Sequence, residues 1–171
     1  KQFLAMGITS VAEAGISKAS VLYDYKTKQA LIKAVIERRV AAERARLREI
    51  IEGLGPVPDR TIRGCIAAVA DRPLSDADRT VVLNLIAALA QDPKLRASVQ
   101  EARRQQIAEI LETSSRPRDA LLAFLALEGL KLLECFGIYT WPESERQRLI
   151  ADIFSLATGE PTSETGRDAQ S

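Results

Sequence analysis

The stretch Gly15-Ile-Ser-Lys-Ala-Ser-Val-Leu-Tyr-Asp-Tyr-Lys-Thr-Lys-Gln-Ala-Leu-Ile-Lys-Ala-Val35 decides the fold. Ser17 is placed to cap a short helix over Lys18 to Tyr25, and Thr27 to cap a long one reaching about Glu52. Upstream, Phe3 to Met6 reads as the last turn of a helix stopped by Gly7, and Thr9 or Ser10 caps a very short helix. A short helix, a turn through Ala14-Gly15 and a second short helix make a helix-turn-helix pattern. Such a unit puts the start of its second helix into a DNA major groove while its flanks touch phosphates. Lys18 and Ser20 are donors near that start, Ala19 lets the backbone come close, and Tyr23 can donate its hydroxyl to a phosphate. Thr27 and Lys28 place a hydroxyl, a charge and helix-end amides at one point, an anion site. Read as ordinary structure, Ser17 and Thr27 are caps alone, Tyr25 is a core aromatic and Lys28 is a solvated lysine.

Working outward, apolar residues recur at helical spacing almost everywhere, and no alternating strand pattern is present. The long helix after Thr27 has an apolar stripe through Leu31, Val35, Ile32, Ile36, Val40 and Leu47, and its other face is dense in Arg and Glu. Gly53-Leu-Gly-Pro-Val-Pro58 breaks the chain. Asp59 is then read as the cap of a helix to about Asp71. Ser75 with Asp78 resembles a capping box for a helix through Ala90. Asp92-Pro93 starts a helix to about Glu112, Pro117 one ending near Phe136-Gly137, and Pro142 one to about Ala157. The expected fold is all-α with about nine helices: a DNA-binding segment at 1–52, a ligand-binding and dimerisation domain at 53–158, and a disordered tail at 159–171.

The composition is that of a soluble globular chain, 46% hydrophobic and 27% charged. The longest charge-free stretch, Thr80 to Gln91, is shorter than the ~20 residues of a membrane span. No basic-then-apolar leader is seen, and Cys65 and Cys135 read as buried, reduced thiols. There is no histidine, which removes Ser-His and Cys-His nucleophilic pairs and the commonest zinc and haem ligands. Neither cofactor nor metal is expected. The net charge of +1 is uneven. Residues 1–52 carry ten Lys/Arg against six Asp/Glu, a balance of +4, and 53–171 carry fourteen against seventeen, a balance of −3. The basic first segment suits a polyanion.

Two further helices have a distinct character. Ala120 to Phe136 is apolar nearly all round, its polar residues confined to Glu128, Lys131 and Glu134, with small residues at Ala120, Ala123, Ala126 and Gly129. A helix wet on so narrow a face needs its own domain on one side and another cover opposite. With the last helix it reads as half of an intermolecular four-helix bundle on a twofold axis. The expected interface is Ala123, Ala126, Leu127, Leu130, Leu149, Ile150, Ile153 and Phe154. The alternative places both helices at the centre of a larger monomer.

The segments Gly7-Ile-Thr-Ser-Val11 and Ala14 through Leu31 are similar to the DNA-binding signature of the TetR family of bacterial transcriptional regulators. The resemblance covers about the first 35 residues. It implies that Thr9 and Ser10 open the first helix of the motif near the DNA backbone. It puts Lys18, Ala19 and Ser20 at the start of the recognition helix, Tyr23 and Lys28 on phosphates, and Tyr25 in the core. Leu22 and Asp24 depart from the pattern, where many members have Tyr, and His or Tyr. About four residues expected between Val11 and Ala12, and most of the first helix before Lys1, are missing. They are expected to be disordered residues omitted from the sequence; a true deletion would argue against DNA binding.

The family implies a homodimer in the bacterial cytoplasm, associated with the nucleoid, bound to double-stranded operator DNA and responsive to a small molecule. Candidate pocket residues are Cys65, Val69, Asn84, Leu85, Leu89, Cys135 and Trp141, and the scarcity of charge among them favours a neutral or apolar ligand. Asn84 is read first as an amide satisfied by backbone or solvent, and only second as one that orients a ligand. Two other classes stand beside this reading: a dimeric helical protein-interaction module without DNA binding, and a helical enzyme. For the enzyme, the acidic pairs Glu143/Glu145 and Asp76/Asp78 sit near helix starts at i, i+2 and look like caps.

Overall fold

A computed structural model describes residues 27–71 and 75–161 of the chain. Six α-helices are present among them: α1 (Lys28–Gly53), α2 (Arg60–Ala70), α3 (Asp76–Gln91), α4 (Arg96–Thr113), α5 (Pro117–Phe136) and α6 (Glu143–Thr158). A 3-10 turn, Pro93–Leu95, precedes α4, and no strand occurs among the described residues. The sequence implied about nine helices. The three expected first fall in residues 1–26, outside the described residues, as does the tail expectation beyond residue 161. The described residues form two units, 27–42 with 75–101, and 43–71 with 102–161.

In the first unit the helix ends follow from capping chemistry. Thr27 Oγ1 accepts the Ala30 N–H at 3.1 Å, and Ser75 Oγ accepts the Asp78 N–H at 3.1 Å. The Ser75 hydroxyl also donates to Asp78 Oδ2 at 2.7 Å. Asp92 Oδ1 accepts the Lys94 N–H at 2.9 Å, so Asp92-Pro93 opens the 3-10 turn and α4 itself begins only at Arg96. The Arg96 guanidinium then satisfies the last carbonyls of α3, donating to Leu89 at 2.6 Å and Ala90 at 3.0 Å. Of the apolar stripe on α1 in this unit, Ile36 is buried and Val35 is exposed.

The second unit holds the larger core. Ile62, Cys65 and Ile66 of α2 meet Ala120, Ala123, Phe124, Leu127 and Leu130 of α5 and Ile150, Ile153 and Ala157 of α6, with Ile110 of α4. The i, i+3, i+4 spacing on each helix is what presents one face inward. Fully burying one such aliphatic side chain is worth about 1.5–3 kcal/mol. A Cβ at Gly64 would collide with the Ile51 side chain of α1, so glycine permits this close approach of α2.

One expectation is corrected at the start of α2. Asp59 takes a left-handed conformation, φ 57°, and makes no side-chain cap. Its buried carboxylate instead accepts the Ser115 N–H at 2.6 Å and the Ser115 hydroxyl at 2.9 Å. The acid thus pins the α4–α5 corner to the start of α2. Thr61 and Thr113 add a hydroxyl pair beside it at 2.9 Å. Pro142 stands just outside α6, which starts at Glu143.

Arg146 is only 6% exposed. Its Nε donates to Glu134 Oε1 at 2.7 Å and its Nη2 to the Val69 carbonyl at 3.0 Å. One guanidinium therefore joins α6 to α5 and to the last turn of α2, where the helix carbonyls favour a cation.

Candidate functional site

Charge gathers where α2, α4 and α5 meet. On α4, Arg103 and Gln106 are one turn apart; on α5, Glu128 and Lys131 share the same spacing, so each pair lies on one helix face. Arg103 Nη2 donates to Glu128 Oε2 at 3.0 Å, and Lys131 Nζ to Glu128 Oε1 at 2.7 Å. Arg103 Nη1 donates to Gln106 Oε1 at 2.7 Å, and Gln106 Nε2 donates to the Cys65 sulfur at 3.4 Å. The Arg103 guanidinium also lies 5.8 Å from the centre of the Phe124 ring. Burial pushes the Cys65 thiol up to about 11, against the smaller opposing effects of the Gln106 hydrogen bond and the nearby Lys131. It is a neutral thiol at neutral pH and an unreactive one.

A second feature lies on α5 and α6. Leu122, Leu125, Leu132 and Phe136 of α5 are exposed, with Leu156 of α6 and with Ile138 and Tyr139 just beyond α5. A groove of about 400 Å³ runs along this face, lined among others by Ala126, Gly129, Leu133, Trp141, Leu149 and Leu156. Trp141 packs edge-on against Tyr139, centroids 4.5 Å apart, and its buried Nε1 has no hydrogen-bond partner. Another open groove, about 510 Å³, lies at the α1–α2 corner between Arg48, Glu52, Gly55 and Arg60.

Residues 59–158, which span α2 through α6, match the family model described as the tetracyclin repressor-like C-terminal domain. The chain belongs to the TetR family. A search of curated proteins found no match.

Within this TetR-family chain, Thr9, Ser10, Ser17, Lys18, Ala19, Ser20 and Tyr23 lie outside the described residues. Thr27 is exposed at the start of α1, with its hydroxyl engaged as a cap, and Lys28 is the first residue of that helix. Of the pocket candidates, Cys65 and Cys135 are buried, and Val69 and Trp141 pack against the core of the second unit. Asn84, Leu85 and Leu89 are half-buried on α3 in the first unit.

The interface candidates fall into two overlapping groups. Ala123, Leu127, Leu130, Ile150 and Ile153 are buried in the protomer's own core, and Phe154 packs against it beneath the Arg63 guanidinium, 4.8 Å away. Ala126 and Leu149, and with them Leu130 and Ile153, also line the groove, where Gly129, Leu133 and Leu156 join them. The small residues divide likewise: Ala120 and Ala123 point inward, while Ala126 is exposed. Sequence reading missed Arg103 and Gln106 altogether. Glu128 and Lys131 were visible as polar positions on an apolar helix, and that isolation was the available signal.

Among the described residues no three His, Cys, Asp or Glu are grouped to hold a metal ion. No described helix is long and apolar enough to cross a membrane.

Proposed function

We propose that the protein is a ligand-responsive DNA-binding transcriptional regulator, a repressor that leaves a palindromic operator when a small molecule binds its C-terminal domain. The match of residues 59–158 to the family's C-terminal domain carries this reading. The helix-turn-helix sequence of residues 7–31 and the +4 balance of residues 1–52 support it. The proposed division gives residues 1–52 the DNA-reading role and 53–158 the ligand and dimer roles, within the bacterial cytoplasm.

The exposed apolar face of α5 and α6 is what a twofold partner would cover, leaving Ala126, Leu149 and their neighbours at the contact. Two recognition helices on that axis address successive major grooves about 34–36 Å apart. Ligand binding shifts the dimer only by its difference in affinity for two conformations, typically ~1–3 kcal/mol of coupling.

The test is binding of the full-length dimer to its own promoter region against random DNA across a salt series. A salt-sensitive preference for the promoter is expected, and its absence overturns the reading. Lys28→Ala should weaken binding to all sequences and reduce the magnitude of the log–log salt slope by about 1. Tyr23→Phe, which removes a neutral donor, should weaken binding with the slope kept.

A further inference from the structure

Gly129 stands inside α5, where glycine weakens a helix relative to alanine. The protomer supplies no reason for it, because a Cβ built there meets nothing within 4 Å. Gly64 differs, since the Ile51 side chain already occupies the space beside it. Gly129 opens instead onto the groove of about 400 Å³ along α5 and α6, with Ala126 three positions before it and the buried Leu130 and Ile153 also in the lining. The same face carries a ridge. Leu122, Leu125, Gly129, Leu132 and Phe136 follow one another at alternating steps of three and four residues, the spacing of a helix seam. The four large side chains are exposed, and the glycine is the gap between them. With Ile138, Tyr139 and Leu156 they expose roughly 700 Å² of side chain, close to the ~800 Å² that each partner gives to a standard interface.

We propose that a second copy of the chain seats the ridge of its α5 in this groove, so that the two molecules approach most closely at Gly129. Ridge and groove lie on one patch, so a twofold axis lets each copy give one and receive the other. The missing Cβ then serves the dimer, against the helix preference of the protomer. A larger side chain at this point excludes the incoming ridge, which makes Gly129 a determinant of which chains can pair. The second copy as occupant rests on the dimeric regulator proposed above. The place of closest approach does not follow from that reading and is carried by the open glycine.

The test is sedimentation equilibrium of the full-length protein carrying Gly129→Ala or Gly129→Leu. Gly53→Ala, equally open but at the end of α1, is the control. Gly129→Ala should weaken the dimer about tenfold and Gly129→Leu more, while Gly53→Ala leaves it unchanged. Folding should move the opposite way. In a chain made monomeric by Leu125→Glu with Leu132→Glu, Gly129→Ala should raise the urea midpoint, because the helix gains and nothing clashes. A glycine needed only by the protomer would lower that midpoint instead. Undiminished dimerisation of Gly129→Leu, or a lowered midpoint for Gly129→Ala, overturns the proposal. Where the two glutamates dissociate the dimer and Gly129→Leu does not, the close approach fails and the dimer face stands. A wild-type chain that is monomeric, or a dimer that resists both, defeats the face and the proposal together. A dimer that responds to Gly129 but ignores its own promoter keeps the contact and defeats the regulator.

Discussion

Arg146 is the side chain whose removal should be felt most. Its guanidinium is buried against Glu134 and the Val69 carbonyl, so Arg146→Met leaves a carboxylate and a carbonyl without their donor. Breaking such a pair from one side should cost about 3 kcal/mol in urea unfolding. Replacing both, Arg146→Met with Glu134→Met, should recover a large part of that loss. A double variant as unstable as the single one would show that Glu134 is not what Arg146 satisfies. Cys65 predicts a pH effect with a definite sign. An unfolded thiol titrates near 9.0 and the folded one near 11. The folded state therefore favours the neutral form, and that stability is complete below pH 9 and lost as pH rises towards 11. Over this window the wild type should lose stability more steeply than Cys65→Ala, as read from urea midpoints at each pH. Parallel curves would contradict the burial argument.

At the level of elements, helix starts were largely written in local residue chemistry. Thr27, Ser75 and Asp92 each cap as their side chains allow, because capping depends on two or three neighbouring residues. Asp59 had the same local signature and does something else, since its partner Ser115 is 56 positions away and invisible to a local reading. How the interface candidates divide between core and groove was hidden for a related reason. A helix apolar all round gives no period, so α5 shows from sequence that it has two covered faces but not which residues lie on each. Arg103 and Gln106 were hidden in α4, whose polar residues are too many for any pair to stand out. The α1–α2 approach makes its own prediction. Gly64→Ala drives a methyl into Ile51 and should cost about 1–3 kcal/mol. Removing the γ carbons of the partner in Gly64→Ala with Ile51→Ala should relieve it, and additive losses in chemical unfolding would argue against the contact.

For the whole molecule, the apolar face of α5 and α6 leads to an expectation about assembly. Leu125 is 56% exposed and Leu132 48%, so a charge at either position leaves the protomer core intact. Leu125→Glu with Leu132→Glu should yield a folded monomer in sedimentation analysis, and promoter affinity should fall with it, because one head reads only one half-site. A dimer that survives both charges would place the partner elsewhere. The family match ends at Thr158, yet the ordered chemistry continues past it. Gly159 closes α6 in a left-handed conformation, and Glu160 pairs with Arg63, which also donates to the Pro58 carbonyl and lies over the Phe154 ring. The end of the last helix is thus fastened to the beginning of α2. A fluorescent label or surface tether fused straight after Thr158 would undo that fastening, whereas one attached beyond Pro161 would report on the regulator without prying it open.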